Sequence, residues 1–161
     1  MNILTQRKYS AILFFQYTLL IFDISINSFA SFARPRPVDL LVLYVIQDFC
    51  LIVALTIMLA SFFSTYIFQV GLIQLLYTKF RMTLVLCVIY VILSIGLHSW
   101  HMTIHWPNPF NHYWTNGFHC LYFIQRAVAV FYYYFYKRSS LKIGDPKFYE
   151  RSTWMQKQGL P

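Results

Sequence analysis

Three histidines stand closest to a recognisable chemistry. His98, His101 and His105 form the pattern H-x2-H-x3-H, which on one helical face offers two imidazoles to zinc or iron. A metal-dependent membrane oxidase needs several such boxes with carboxylates nearby. Only one box is present, with no acidic residue beside it, so neither a metal nor any other cofactor is expected.

The second possible chemistry is ion or proton movement. Asp23, Asp48 and Arg126 interrupt long apolar runs, and a charge at bilayer depth costs roughly 2.5 to 3.5 kcal/mol, so each needs a partner. Asp48 lies ten residues after Val38, and Arg126 about as far after Trp114. If both segments enter from the same face, the two side chains are expected to meet near the midplane. With two acids and one base, one carboxyl is then expected to be protonated or bonded to Asn27 or Gln125.

Helical spacing gathers these groups onto facing surfaces. Gln16, Asp23 and Asn27 stack on one segment, and His119, Arg126 and Tyr133 on another. Thr83, Cys87, Tyr90, Ser94, His98, His101 and His105 form a continuous polar stripe at a 3.6-residue period. One reading is interhelical hydrogen bonding that fixes which helices pair, at about 0.6 kcal/mol per contact. The other is the lining of a small ion or proton channel or transporter subunit. No Ser/His/Asp set, P-loop or GxGxxG appears, so the chain is expected not to be an enzyme. Cys50, Cys87 and Cys120 are widely spaced within apolar segments; they make neither a disulfide framework nor a CxxC site and read as small core residues.

The elements that carry these residues follow from composition. With 161 residues, 58% hydrophobic and 11% charged, the chain is too apolar for a water-soluble fold. A membrane span needs about 20 mostly apolar residues. Four stretches meet this, at about 9–32, 38–63, 82–104 and 113–136, in a single membrane domain covering 1–161 with a basic cytoplasmic tail from 137 to 161. The expected fold is an all-α integral membrane protein, a four-transmembrane-helix bundle. Ser64 to Thr78 is expected to be a cytoplasmic extension of helix 2 or an interfacial helix before helix 3. Read as a fifth span, it would put Arg7 and Lys8 on the opposite side from Lys137, Arg138 and Lys142. Four spans instead place both termini and the Lys79/Arg81 loop in the cytoplasm.

The net charge of +8 therefore reports topology. Its expected partner is the anionic cytoplasmic leaflet, worth about 1 kcal/mol per Lys or Arg, and not nucleic acid. The run Phe131 to Tyr136 before Lys137-Arg138 reads as an aromatic belt at the inner interface, with Trp100, Trp106, Tyr113 and Trp114 at the outer one. Arg7-Lys8, the apolar Ala11 to Phe22 and Ser28-Phe29-Ala30 also imitate a signal peptide, whose removal would leave three spans.

The ordered set Asn27-Ser28-Phe29, Ile46-Gln47-Asp48, Phe68-Gln69, Gly71-Leu72, Lys79-Phe80, Ser94 through Leu97-His98 with Trp100, Trp114-Thr115 with Gly117, and Gln125-Arg126 resembles the transmembrane protein 138 family of ciliary membrane proteins. The tail continues the match through Tyr134-Phe135-Tyr136-Lys137-Arg138, Gly144-Asp145-Pro146, Phe148-Tyr149 and Trp154. The resemblance covers nearly the whole chain and is weakest at the N-terminus. It implies a non-enzymatic four-span protein of the cilium, at its base or transition zone, with vesicular or vacuolar membrane as a second location. It implies a role in cilium assembly and in the trafficking of membrane proteins into the cilium, carried out through other transition-zone membrane proteins. Gly144-Asp145-Pro146 is a turn followed by Phe148, Tyr149 and Trp154 just beyond a basic flank. That arrangement would suit a docking segment for a partner, or equally a tail lying on its own helix ends.

Overall fold

A computed structural model describes residues 3–33, 35–63, 73–106 and 115–143. Its four long helices are α1 (Ile3–Phe29), α2 (Pro37–Phe63), α3 (Ile73–His105) and α4 (Asn116–Ile143), with a single 3-10 turn, Ala30–Ala33, closing α1. Each has a local reason to begin where it does. Pro37 occupies the first helical position of α2, where its missing N–H costs nothing, and the Arg36 carbonyl accepts from Leu40 N at 3.1 Å. The carbonyl of Thr115 accepts from both Phe118 N and His119 N at 3.0 and 3.3 Å, starting α4. No proline falls between Ile73 and His105, so Lys79 and Arg81 sit within one continuous helix. Residues 73–78, expected to belong to helix 2 or to a separate interfacial helix, are the first turns of α3; residues 64–72 lie outside the described residues.

Among the described residues three segments are long and apolar enough to cross a membrane: Tyr9–Phe29, Pro37–Phe63 and Phe80–Ile104. Helix α4 is as long but more polar; its Gln125, Ser139 and Ser140 are turned inward, while Lys137 and Arg138 are exposed. Gln125 is fully buried, as is Tyr136, while Phe123, Val130 and Phe131 face outward. The same inversion holds throughout. Phe14 is 75% and Phe32 80% exposed, whereas Asp23 is 1% and Ser94 0% exposed. A chain folded against water would do the opposite; a bilayer rewards apolar exterior and requires polar groups to be satisfied inside.

The outward hydroxyls obey the same requirement. Thr18, Ser25, Ser28, Thr56 and Thr103 each donate to the carbonyl four residues earlier, at 2.8 to 3.0 Å. On a lipid-facing surface that is the one acceptor within reach.

Consecutive helices pack side by side, most extensively α3 on α4, while the seam between α1 and α4 is sparse. The main core joins Leu51, Ala54, Met58 and Phe62 of α2 to Phe80, Cys87 and Tyr90 of α3 and Ala129, Tyr132 and Tyr136 of α4. The aromatic run thus does not form a uniform belt: Tyr132 and Tyr136 are core, Tyr133 is half-buried, and only Phe131 and Tyr134 are strongly exposed. One helical turn brings every third or fourth ring inward.

Ala54 shows what small residues do between membrane helices. It is 2% exposed, and its carbonyl accepts from Tyr136 Oη at 2.9 Å. Ala54→Leu is expected to separate α2 from α4 and to destabilise the bundle by about 1 to 3 kcal/mol, the usual cost of overpacking. Thr56→Val, two residues away on the lipid face, is expected to change stability by less than about 0.5 kcal/mol. Thermal unfolding of the detergent-purified chain measures both.

Candidate functional site

At the centre of the bundle Asp23 collects donors from three other positions along the sequence. Its Oδ2 accepts from Tyr90 Oη at 2.8 Å and from Tyr133 Oη at 2.5 Å, and its Oδ1 accepts from Gln47 Nε2 at 2.6 Å. Asn27, one turn along α1, supports the cluster by donating to the oxygens of Tyr90 at 2.7 Å and Tyr133 at 3.0 Å, with a longer contact to Asp23 at 3.4 Å. Its own carbonyl oxygen accepts from Gln47 at 3.2 Å. Gln125 extends the chain from α4 to Tyr90 and Ser94 at 3.4 and 3.3 Å. All four helices therefore meet in one hydrogen-bonded set.

Asp48 and Arg126 do not meet. Asp48 is bonded to His98 Nδ1 at 2.8 Å, and Tyr44 stacks on that imidazole with centroids 4.1 Å apart. The guanidinium of Arg126 instead donates to the backbone carbonyl of Asn27 and lies 4.9 Å from the Tyr122 ring centre. The reason lies in how α1 ends. Its last carbonyls have lost their intrahelical partners and carry the negative end of the helix dipole, so a cation is drawn to them. Double-mutant cycles distinguish the arrangements. Asp48→Asn is expected to couple with His98→Gln by about 1 kcal/mol or more, and to be additive with Arg126→Gln within about 0.5 kcal/mol.

The α3 stripe faces inward over most of its length. Thr83, Cys87, Tyr90, Ser94 and His98 are each no more than 5% exposed, and His101 is half-buried against Tyr44 Oη at 3.0 Å. Thr83 Oγ1 meets Ser139 Oγ at 2.6 Å near the opposite end of the bundle. His105 is the last residue of α3. With His98 turned to Asp48 and His101 to Tyr44, no group of three metal-ligating side chains converges among the described residues. Of the cysteines, Cys87 is core, Cys50 is half-buried and Cys120 is exposed, so the core reading fails for Cys120. Asp145, Pro146, Phe148, Tyr149 and Trp154 lie outside the described residues.

Gln47, Tyr44 and Ser139 were not singled out by type or spacing. Gln47 had a signal: it shares the face Leu40, Gln47, Leu51, Ala54, Met58, Phe62, all buried, whereas Asp48 is offset by one residue and turns to the α2–α3 seam.

A cavity of about 240 Å³ opens at the end of the bundle where α1 and α3 finish and α2 and α4 begin. Asn27, Tyr44, His98, His101, Tyr122 and Arg126 are among its walls, and among the described residues no acidic side chain lines it.

Comparison with known proteins shows what the chain as a whole is similar to. The family described as transmembrane protein 138 matches residues 40–158. The protein named "Transmembrane protein 138" from Mus musculus is 44% identical over 94% of this chain and 93% of its own length. Its namesakes from Xenopus tropicalis and Danio rerio are 41% and 44% identical, over 94% and 95% of this chain. No solved structure matches. A multi-pass bundle with an inverted polar interior, matched along nearly its whole length by these relatives, belongs to the transmembrane protein 138 family.

Proposed function

We propose that the chain is a non-enzymatic membrane scaffold at the base or transition zone of the cilium, required for cilium assembly and for passage of membrane proteins into the ciliary membrane. The observation that carries this reading is family membership over 94% of the chain, joined to the ciliary role that the sequence resemblance implies. The interior supports it. Asp23, Asn27, Gln47, Tyr90 and Tyr133 are directed at one another, an arrangement that fixes helix pairing. The distribution of Lys and Arg supports termini and tail in the cytoplasm, where Phe148 and Tyr149 would be available to transition-zone membrane proteins.

Imaging a tagged copy in ciliated cells, together with its removal, tests the proposal. Signal concentrated at the ciliary base and loss of cilia on removal are expected. Diffuse endoplasmic-reticulum signal with normal cilia in its absence would sink it.

A further inference from the structure

No carboxylate pairs with Arg126 among the described residues. Among the described residues its guanidinium meets the Asn27 carbonyl and the face of Tyr122, while Asp23 is occupied by Tyr90, Tyr133 and Gln47 and Asp48 by His98. It stands ten residues, about 15 Å, along α4 from Asn116, too deep for bulk water to solvate it freely. A cation at such depth calls for an anion, and one carbonyl uses only one of the five N–H donors on its fork. The donors that remain border the cavity, where His98, itself bonded to Asp48, and His101 add imidazoles and no carboxylate lines the wall among the described residues.

We propose that this cavity binds the phosphate group of a phospholipid, held by Arg126, with the acyl chains leaving through the seam between α1 and α4. A planar guanidinium matches two phosphate oxygens at once. At about 240 Å³ the cavity is smaller than the roughly 300 to 1,000 Å³ of sites that enclose a drug-sized ligand. It holds a headgroup and not a whole lipid.

The exit for the chains is also visible. Among the described residues the α1–α4 seam is sparse beside the α3–α4, α1–α2 and α2–α3 seams, and Ser28 and Tyr122 line the cavity from its two sides while remaining exposed. From Ser28, helical spacing runs a ridge through Ile24 and Ile21, 44% and 64% exposed. From Tyr122 a second ridge reaches Val130, 66% exposed. In antiparallel helices these ridges run the same way, from the cavity toward the middle of the bundle. They form apolar banks for acyl chains.

Native mass spectrometry of the full chain in detergent tests the proposal with three probes: phosphatidic acid, diacylglycerol with the same chains, and inorganic phosphate. One phosphatidic acid per chain is expected, retained at least tenfold better than diacylglycerol. Arg126→Gln is expected to lower retention at least tenfold, and Arg126→Lys to restore part of it. Because Arg126→Gln also removes the contact with α1, Ser28→Trp serves as a second variant: it fills the mouth from an exposed position and is expected to lower retention with thermal unfolding unchanged. Retention unaltered by both Arg126→Gln and Ser28→Trp, or equal for diacylglycerol, would overturn the site. Displacement of phosphatidic acid by millimolar inorganic phosphate would overturn the lipid as its occupant in favour of a free phosphate.

Discussion

Asp23→Leu is expected to destabilise the bundle by about 3 kcal/mol or more, because it removes the acceptor on which Tyr90, Tyr133 and Gln47 converge and leaves buried donors with no partner, each costing roughly 1 to 3 kcal/mol. Tyr90 and Gln47 cannot turn to water, since both are 0% exposed. Asp23→Asn keeps one oxygen but points a new N–H₂ at groups that already donate. It is therefore expected to recover only part of the loss despite its matching shape. Unfolding in mixed detergent micelles followed by circular dichroism measures both, and an Asp23→Leu chain as stable as the parent would show that the cluster does not hold the helices together. The same variants separate hydrogen-bonded glue from a proton path. Proton flux in proteoliposomes is expected to be absent from the parent chain and unaffected by Asp23→Asn or Asp48→Asn.

The periodic part of this arrangement could be read before any coordinates. Hydropathy runs gave the helices, and the 3.6-residue recurrence of Thr83, Cys87, Tyr90, Ser94 and His98 gave a face that is indeed buried. Spacing reports which residues share a face of one helix. It does not report how far one helix is rotated against the next, and that decided the partners. Asp48 and Arg126 lie at compatible depths, yet Asp48 turns toward α3 and Arg126 toward the end of α1. Charge matching by depth left out the backbone carbonyls of a helix terminus, which also draw a guanidinium, and the histidine that already holds the Asp48 carboxylate.

A related limit concerns residues that read equally well as anchors or as core. The run from Phe131 to Tyr136 is adjacent to Lys137 and Arg138, which is where interfacial rings belong. Its rings divide because a helix cannot present six consecutive side chains to one environment. Tyr132 and Tyr136 take core positions and Tyr133 reaches Asp23. The tyrosines are suited to this double use, having a large apolar ring and one hydroxyl that finds a partner inside.

Tyr90 makes that double use measurable. It is 0% exposed, its ring stacks on Tyr132 with centroids 4.5 Å apart, and its hydroxyl donates to Asp23 while accepting from Asn27 and Gln125. Tyr90→Phe keeps the ring and removes only the hydroxyl. Asp23 then retains Tyr133 and Gln47, and Asn27 retains Tyr133, so the loss is expected to be about 1 to 2 kcal/mol. Tyr90→Ala also empties the ring volume at the junction of α3 and α4, where large-to-small changes of an aromatic cost about 3 to 5 kcal/mol. The gap between the two variants reports the packing, and Tyr90→Phe alone reports the hydrogen bonds. If the polar cluster contributes chiefly by fixing which helices pair, Tyr90→Phe should also loosen α1, the helix that carries both Asp23 and Asn27, more than α4. Hydrogen exchange along the two helices reads this directly: faster exchange near Asp23 with α4 protected is the expected pattern, and uniform loosening would assign the hydroxyl to overall stability alone.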